Sequence, residues 1–279
     1  MTQTLRYWIN EEEIVRHFPA ADAEVMPGVR WGEPWTLFTP AYWLSQFWMN
    51  DLDKVQHSPY QARGTLAEEV VFCLLGGFGI TAELATAAFE ACCERGLIQT
   101  MESNPEVWSA VLLRPLSLNG KTQHYRYPNQ KARFLGAAMG FLQENPLEKV
   151  SGLALRDSLL KIQGIGPKTA GWITRNYSDS DEVAILDIHI VRAGVLCGFF
   201  SSDERVEKNY FAMETRFLKF SEALGVRPSV LDCLIWDQMR SLGGVALNAL
   251  RDKQLCKTNN QTKLTQPERR QTQLLFKGF

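Results

Sequence analysis

Apolar residues recur along most of the chain at spacings of three and four positions, which is the period of an amphipathic helix. This pattern predicts helices at 10–17, 40–49, 64–76, 81–95, 104–112, 129–144, 153–162, 167–177, 187–198, 203–222 and 228–241. Strand-like alternation is sparse, and only short extended pieces are expected near residues 25–38. The predicted fold class is therefore mainly α, with little β structure and no regular set of hairpins.

Helix start and stop signals support several of these boundaries. Thr39 precedes Pro40, Asn104 precedes Pro105, and the pair Asn145-Pro146 follows the long helix. A polar residue followed by proline suits a first helical turn, whereas the residue before a proline disfavours helix continuation. The sequence predicts four parts: an N-terminal segment 1–60 that packs on the helical core, helical subdomains 61–150 and 151–250, and a basic tail 251–279. A pocket is expected in the cleft between the two subdomains.

Charge is balanced over the whole chain but not along it. The net charge is −1 with a pI near 6.5, which argues against indiscriminate binding of nucleic acid over the entire surface. Within residues 151–177, however, four cations oppose only Asp157; they are Arg156, Lys161, Lys168 and Arg175. A basic face on a neutral body suits a footprint on a polyanion.

The cysteine usage and the apolar runs restrict the class of protein. The six cysteines are scattered and lack zinc-site spacing, so they are expected to be reduced thiols in a cytoplasmic protein. No apolar run reaches the length of about 20 residues that a membrane span needs, and no membrane partner is expected.

The stretch SLLKIQGIGPKTA at residues 158–170 carries the most specific local signal. Gly164 and Gly166 permit positive φ and leave the backbone bare, and Pro167 suits the first turn of the helix that follows. Such a hairpin points backbone N–H groups and a helix N-terminus outward together, which forms an anion site. The alternative interpretation is a tight turn between two packed helices with no ligand.

The string I-x-G-I-G-P-K-T-A, followed by L-D-I-H-I-V-R, resembles the helix-hairpin-helix (HhH-GPD) DNA glycosylase superfamily. The resemblance is greatest to the lysine-bearing members, such as 8-oxoguanine DNA glycosylase/lyase and endonuclease III. Its specific part covers residues 159–192, with weaker likeness over 65–81 and 125–138. It implies two helical subdomains with the active site between them, Lys168 as the nucleophile and Asp187 as the catalytic aspartate.

The implied activity is that of a DNA glycosylase with AP lyase activity, which excises a damaged or modified base through a lysine Schiff base, with 8-oxoguanine as the leading candidate. The implied partner is double-stranded DNA with one nucleotide rotated out of the stack. Lys168 must attack as a neutral amine, so burial or a neighbouring cation is expected around it. Taken singly, Lys168 is better explained as a solvated helix lysine, and Asp187 as an N-cap for the helix at 187–198. Taken together in this frame, the two residues favour the catalytic interpretation. Capping and catalysis are compatible.

Further site residues follow from the same resemblance. The predicted phosphate contacts are Gly164, Ile165, Gly166, Thr169 and His189. The predicted base pocket contains Trp172, Trp236, Gln238 and Asp232, and Phe78 is the predicted wedge into the DNA stack. The alternatives are a hydrogen-bonded structural role for His189 and plain core packing for Trp172.

The chain also departs from its relatives. Only Cys233 and Cys256 lie late in the chain, so the iron–sulfur cluster of endonuclease III relatives is not expected. No cofactor is expected, apart from a monovalent cation that the hairpin carbonyls hold in related enzymes. In the loop LLGGFGIT, Gly76, Gly77, Phe78 and Gly79 offer no polar side chain that could inspect the opposite base. Two alternatives therefore stay open: a non-catalytic DNA-binding module, and a component of an antiviral defence complex, since related proteins occur in bacterial antiphage operons.

Overall fold

The computed structural model describes residues 2–55, 57, 60–77, 79–118 and 120–264, and from residue 254 onward it describes the backbone alone. Helices dominate this part of the chain, as the sequence predicts. Their bounds are α1 Pro40–Met49, α2 Leu66–Leu75, α3 Ala82–Glu94, α4 Pro105–Leu112, α5 Pro128–Glu144, α6 Gly152–Leu159, α7 Pro167–Ser178, α8 Ile188–Cys197, α9 Val206–Leu224, α10 Pro228–Ser241 and α11 Gly243–Leu264.

The helix predicted at 10–17 is wrong. That segment forms an antiparallel hairpin of β1 (Gln3–Ile9) and β2 (Glu12–Phe18), with Ile9 opposite Glu12. Asn10 and Glu11 form its two-residue turn, with φ of 47° and 68°. Positive φ at both central positions is the geometry that joins twisted strands tightly. Glutamate rarely adopts this geometry, so the turn lacks the Asn-Gly type of signal that would have indicated a hairpin.

Two further short hairpins are present in the described chain, and the first of them lies near residues 25–38, where the sequence predicts short extended pieces. They pair β3 (Glu24–Met26) with β4 (Val29–Arg30), and β5 (Leu116–Leu118) with β6 (Lys121–Gln123). Helix α11 was not predicted and extends into the segment expected to be a polar, basic tail. Residues 265–279 of that tail lie outside the described residues.

The buried apolar side chains form two clusters. The first cluster lies between Leu66 and Ile173 and is built from α2 to α7. The second cluster combines residues from Phe18 to Phe47 with residues from Ala184 to Ala246. The change from one cluster to the other thus falls after α7, not at the boundary predicted near residue 150, because α6 and α7 pack with each other and α7 packs on α2. As a statement about independently folding units, the four-part division stays a prediction.

The loop that follows α2 is fixed by two side chains from the segment around the start of α5. The Tyr125 hydroxyl donates to the carbonyl of Leu75, and Lys131 Nζ donates to the carbonyls of Leu74 and Gly76. Burial lowers the pKa of Lys131. A cation and a hydroxyl here satisfy the last carbonyls of α2, which have no partner within the helix. The glycine-rich loop therefore starts from a fixed point.

Candidate active site

The hairpin between α6 and α7 brings a bare backbone to the surface. Gly164 has a φ of +91°, and a Cβ at this position would lie 2.6 Å from the Phe134 ring, so both its conformation and its surroundings require glycine. Gly166 has a φ of −96°, so it does not use the positive φ that a glycine permits. Its exposed Cα faces open space instead, because a Cβ at this position would have no other atom within 4 Å. The backbone at Gly166 is thus accessible to a ligand.

The start of α7 lacks a side-chain cap. Gly166 is the N-cap residue and Pro167 is the first helical residue, so no side chain accepts from the first-turn amides. The N–H groups of a first turn have no partner within the helix. Ile165 anchors the hairpin, because its side chain is buried in the first cluster and its amide donates to the Ile162 carbonyl at 3.1 Å. The hairpin is therefore built to present free N–H groups to an anion.

Lys168 lies at the mouth of a large cavity between α7 and the α2–α3 region. This cavity has a volume of about 500 Å³, and α7 contributes Lys168, Thr169 and Trp172 to its wall. The opposite wall is formed by Phe72, Cys73, Gly76, Gly77, Ile80, Thr81, Ala82 and Ala85. The Lys168 side chain is exposed, so the predicted burial of this amine is not met in the protein without DNA.

Asp187 caps helix α8 with one oxygen and leaves the other available. Its Oδ1 accepts from the backbone N–H groups of His189 at 2.8 Å and Ile190 at 3.0 Å. Its Oδ2 has no hydrogen-bond partner among the described residues. The side chain is half-buried and lines a second, smaller cavity of about 100 Å³. The carboxylate is thus oriented by the helix that it caps, with a free oxygen beside a hollow.

The smaller cavity has aromatic walls. Trp172 of α7 and Trp236 of α10 both line it, together with Tyr60, Arg175, Ile185, Asp187, Ile190, Asp232 and Cys233. Trp172 also lines the larger cavity, so the hollows that Lys168 and Asp187 border meet at this side chain. The His189 ring packs edge-on against Trp236 with centroids 6.2 Å apart. The structure therefore brings Lys168, Asp187, Trp172, Trp236 and Asp232 into one region.

Asp232 is the buried polar group of the smaller cavity. Arg175 Nη1 donates to its Oδ1 at 2.5 Å, whereas its Oδ2 is buried with no partner. Burial raises the pKa of Asp232 to about 6, and the neighbouring Arg175 opposes that rise. An unpaired buried oxygen is costly for a folded protein, so Oδ2 of Asp232 is available to a donor from a ligand or a water molecule.

A chain of buried hydrogen bonds holds Arg175 in place. Arg175 Nε donates to Asn176 Oδ1 at 3.1 Å, and Asn176 Nδ2 donates to Glu69 Oε1 at 3.0 Å. Glu69 belongs to the first cluster's helix α2, and Asp232 belongs to α10 of the second. Glu69, Asn176 and the pairing role of Arg175 were not predicted from the sequence. Buried charged residues within apolar helices were the available signal.

Two predicted site residues do not join this region in the described structure. Gln238 does not line the smaller cavity: its Oε1 accepts from the Tyr42 hydroxyl at 3.2 Å, and its Nε2 donates to Gln46 Oε1 at 3.3 Å. It therefore ties α10 to α1. Phe78, the predicted wedge, lies outside the described residues.

Neither a metal cluster nor a membrane-spanning helix is present in the part of the chain that the structure describes. Among those residues, no group of three or more His, Cys, Asp or Glu side chains is arranged to hold a metal ion. Within the same ranges, every helix is too short or too polar to cross a membrane.

Several known proteins are similar to this chain. The 8-oxoguanine DNA glycosylase/AP lyase of Metallosphaera sedula is 33% identical over 127 residues, which cover 42% of this chain and 59% of that protein. The enzyme of the same name from Thermoplasma volcanium is 31% identical over 120 residues, which cover 42% of this chain and 57% of that protein. This chain thus spans less than two thirds of the length of these relatives.

Two solved structures are also similar. The 8-oxoguanine DNA glycosylase of Thermotoga maritima has a TM-score of 0.46 and 25% identity, covering 62% of this chain and 80% of that one. The Methanocaldococcus jannaschii 8-oxoguanine glycosylase/lyase was solved in complex with a 15mer DNA containing 8-oxoguanine. It has a TM-score of 0.44 and 20% identity, and the similarity covers 72% of this chain and 89% of that one.

A protein-family model also matches this chain. The family model described as 8-oxoguanine DNA glycosylase matches residues 49–226, which is more than half of the chain. The matched region includes the α6–α7 hairpin, Lys168 and Asp187. Because this match covers more than half of the chain, the chain belongs to the 8-oxoguanine DNA glycosylase family of helix-hairpin-helix proteins.

Proposed function

We propose that this protein is a DNA glycosylase with AP lyase activity that acts on double-stranded DNA, with 8-oxoguanine as the leading candidate for the excised base. One observation carries the proposal. An accessible amine at Lys168 and a carboxylate with a free oxygen at Asp187 border two hollows that meet at Trp172, beside an uncapped helix N-terminus. The names of the relatives support the same activity and the same base.

The hairpin is proposed to hold the DNA backbone. The backbone N–H groups at Gly164, at Gly166 and in the first turn of α7, including Thr169, are proposed to donate to one phosphate, while the Ile165 N–H stays bonded to the Ile162 carbonyl and holds the hairpin in shape. Such contacts position a strand without reading its sequence. His189 lies one position beyond Ile188, the first residue of α8, and is proposed to contact a phosphate near the extruded nucleotide. Its edge contact with Trp236 would hold the ring beside the base pocket.

The chemistry requires both reacting side chains. The neutral Lys168 amine attacks C1′ of the sugar; a C–N bond forms, and the glycosidic bond breaks with its electron pair leaving on the base, which then takes up a proton. Loss of a proton and ring opening give the Schiff base, from which elimination expels the 3′ phosphate. The Asp187 carboxylate stabilises the positive charge that develops on the sugar. Lys168 is exposed in the free protein, so its amine is accessible to the sugar of a bound nucleotide.

The smaller cavity is proposed as the base pocket. Trp172 and Trp236 supply aromatic surfaces on which an extruded base stacks. Asp232 Oδ2 is a buried acceptor without a partner. The Watson–Crick edge of guanine offers N–H donors at N1 and at the 2-amino group, whereas adenine presents an acceptor at N1. An ionised Asp232 therefore favours a base with the guanine edge, and 8-oxoguanine retains that edge.

We expect Asp232→Asn to change the base preference of the enzyme. Because Arg175 donates to Oδ1, the asparagine keeps its oxygen there and places an N–H₂ donor where Oδ2 was. Excision of 8-oxoguanine should fall by about 10- to 100-fold, while excision of 8-oxoadenine should fall less or rise. Single-turnover rates are measured on the two duplexes. The ratio of the 8-oxoguanine rate to the 8-oxoadenine rate does not depend on how much of the variant is folded. An unchanged ratio would remove Asp232 from base reading.

The same acceptor predicts a pH dependence for the wild-type enzyme. Burial raises the pKa of Asp232 to about 6, so the ionised acceptor is present above this pH and is lost as the pH falls through it. Arg175, Cys233 and Asp187 are the charged or titratable groups that face it. The ratio of 8-oxoguanine to 8-oxoadenine excision should therefore decrease below about pH 6.

Cofactors and location remain predictions. No cofactor is needed for the lysine chemistry described above. The hairpin suits a monovalent cation, since the Ile162 carbonyl accepts a single bond, from Ile165, and a carbonyl oxygen has a second lone pair. A cation there would neutralise an adjoining phosphate. The scattered cysteines favour the cytoplasm.

The proposed function is tested by incubating the protein with duplexes that carry 8-oxoguanine, uracil, thymine glycol or an abasic site. Mass spectrometry of the released base and a nick at the lesion are the two readouts. Release of 8-oxoguanine with strand cleavage is expected. Tight binding to these duplexes with no base released and no nick would instead favour the binding-module or defence-complex alternative.

A further inference from the structure

The segment that leads into Asp187 is buried but has no regular secondary structure. Residues 183–186 are all buried, and they form neither helix nor strand. A buried backbone must still satisfy its N–H and C=O groups. If the segment were a β-strand, a neighbouring strand would supply the hydrogen-bond partners for these groups. Here, side chains must supply the partners.

Helix α9 supplies those partners through two residues. The Tyr210 hydroxyl donates to the Ala184 carbonyl at 2.9 Å and accepts from the Leu186 N–H at 3.3 Å. Glu214 Oε1 accepts from the Ala184 N–H at 3.0 Å, and its Oε2 is paired with Arg156 of α6 at 2.6 Å. One hydroxyl thus bridges two backbone groups, and the second of them belongs to the residue immediately before Asp187.

Tyr210 is suited to a fixed, neutral bridge. It is buried, and burial raises the pKa of its hydroxyl, so it both donates and accepts at any working pH. Its two bonds span residues 184–186, and the Asp187 N–H itself donates to the Ile185 carbonyl at 2.9 Å. Holding 184–186 therefore fixes the backbone from which the Asp187 side chain departs.

The same bridge contacts the helix that carries Lys168. A Cβ at Gly171 would lie 3.2 Å from the Ala184 carbonyl and 3.8 Å from the Tyr210 hydroxyl. Gly171 follows Lys168 by about one helical turn, and its lack of a side chain lets α7 approach the 184–186 segment closely. Tyr210 and Lys168 also line one groove of about 350 Å³. The Tyr210 hydroxyl therefore lies between α7, which carries Lys168, and the segment that leads to Asp187.

We propose that Tyr210 is a positioning residue for Asp187. Its hydroxyl holds residues 184–186 against α7, and this fixes the position of the free oxygen of Asp187 relative to the Lys168 amine. This inference rests on the proposed function. It assigns a role to a residue of α9 that does not line the base pocket and does not touch the reacting atoms.

The test is a double-mutant cycle of Tyr210→Phe with Asp187→Asn. In the wild-type background, Tyr210→Phe should lower the single-turnover rate of base release by about tenfold, the effect of one neutral hydrogen bond, with the Kd for DNA unchanged within about twofold. In the Asp187→Asn background, the same change should alter the rate by less than about twofold. Equal effects in both backgrounds would overturn the proposal, because residues that act through one another are not additive.

A matched control and a second measurement separate this idea from the proposed function. Tyr125→Phe also removes a buried hydroxyl-to-carbonyl bond, but within the first cluster, and its effect on the rate should be the same in both Asp187 backgrounds. Hydrogen exchange of the Leu186 amide needs no activity. It should accelerate in Tyr210→Phe and remain slow in Tyr125→Phe; unchanged exchange in Tyr210→Phe would overturn the positioning role. An inactive wild-type protein with the expected exchange pattern would contradict the proposed function and leave the bridge intact.

Discussion

Lys168→Gln should give no covalent adduct when borohydride is added to the protein and a duplex with 8-oxoguanine or an abasic site. Reduction traps the C=N bond between the lysine and the sugar, and glutamine has no amine with which to form that bond. Base release should fall by at least about 10³-fold, which is the loss typical of removing a nucleophile. The trapped complex is measured as a band of reduced mobility in a denaturing gel.

Lys161→Gln is the matched control for this experiment. Lys161 lies on the same hairpin and is also exposed, so its replacement removes the same charge from the same surface. We expect it to weaken DNA binding and to retain the trapped adduct. An adduct of normal yield with Lys168→Gln would show that another amine is the nucleophile, and the mechanism proposed for Lys168 would be wrong.

Asp187→Asn should separate catalysis from folding. Asparagine is as good an N-cap as aspartate, so the bonds from His189 and Ile190 are kept and the melting temperature should change little. The negative charge beside the sugar is lost, and the single-turnover rate of base release should fall by about 10²- to 10³-fold. A DNA-binding module without activity would keep its affinity and have no turnover to lose.

Asp187→Ala supplies the comparison for stability. It removes both the charge and the cap, and should cost about 0.5–2 kcal/mol of unfolding free energy in addition to the rate. Thermal or urea unfolding of the two variants measures this difference. If Asp187→Asn released bases at the wild-type rate, Asp187 would be a helix cap alone.

The sequence predicted the parts of the site that are local in the chain. The hairpin, the proline at the first turn of α7 and the cap at Asp187 each depend on residues within a few positions of one another. Strong helical periodicity likewise predicted most of the helices. The failures have local causes too: the turn at Asn10 and Glu11 uses a conformation that glutamate rarely adopts.

Contacts between distant residues were not predictable in the same way. Arg175 and Asp232 are 57 positions apart, and the bond between Gln238 and Gln46 spans 192. Periodicity shows which residues of α10 share a face, but not whether that face meets the pocket or α1. For the same reason Tyr210 carried no signal: a tyrosine in an amphipathic helix indicates core packing until the irregular segment beside it is known.

Under the proposed mechanism, the placement of Lys168 and Asp187 on different hydrophobic clusters has a consequence for undamaged DNA. Lys168 is carried by the first cluster, whereas Asp187 leads into the second. A strand that slides past the hairpin while its bases stay stacked would meet the amine alone, without the charge that makes attack at C1′ feasible. Only a nucleotide inserted between the two clusters would engage both groups at once, so intact genomic DNA would be spared during the search for lesions.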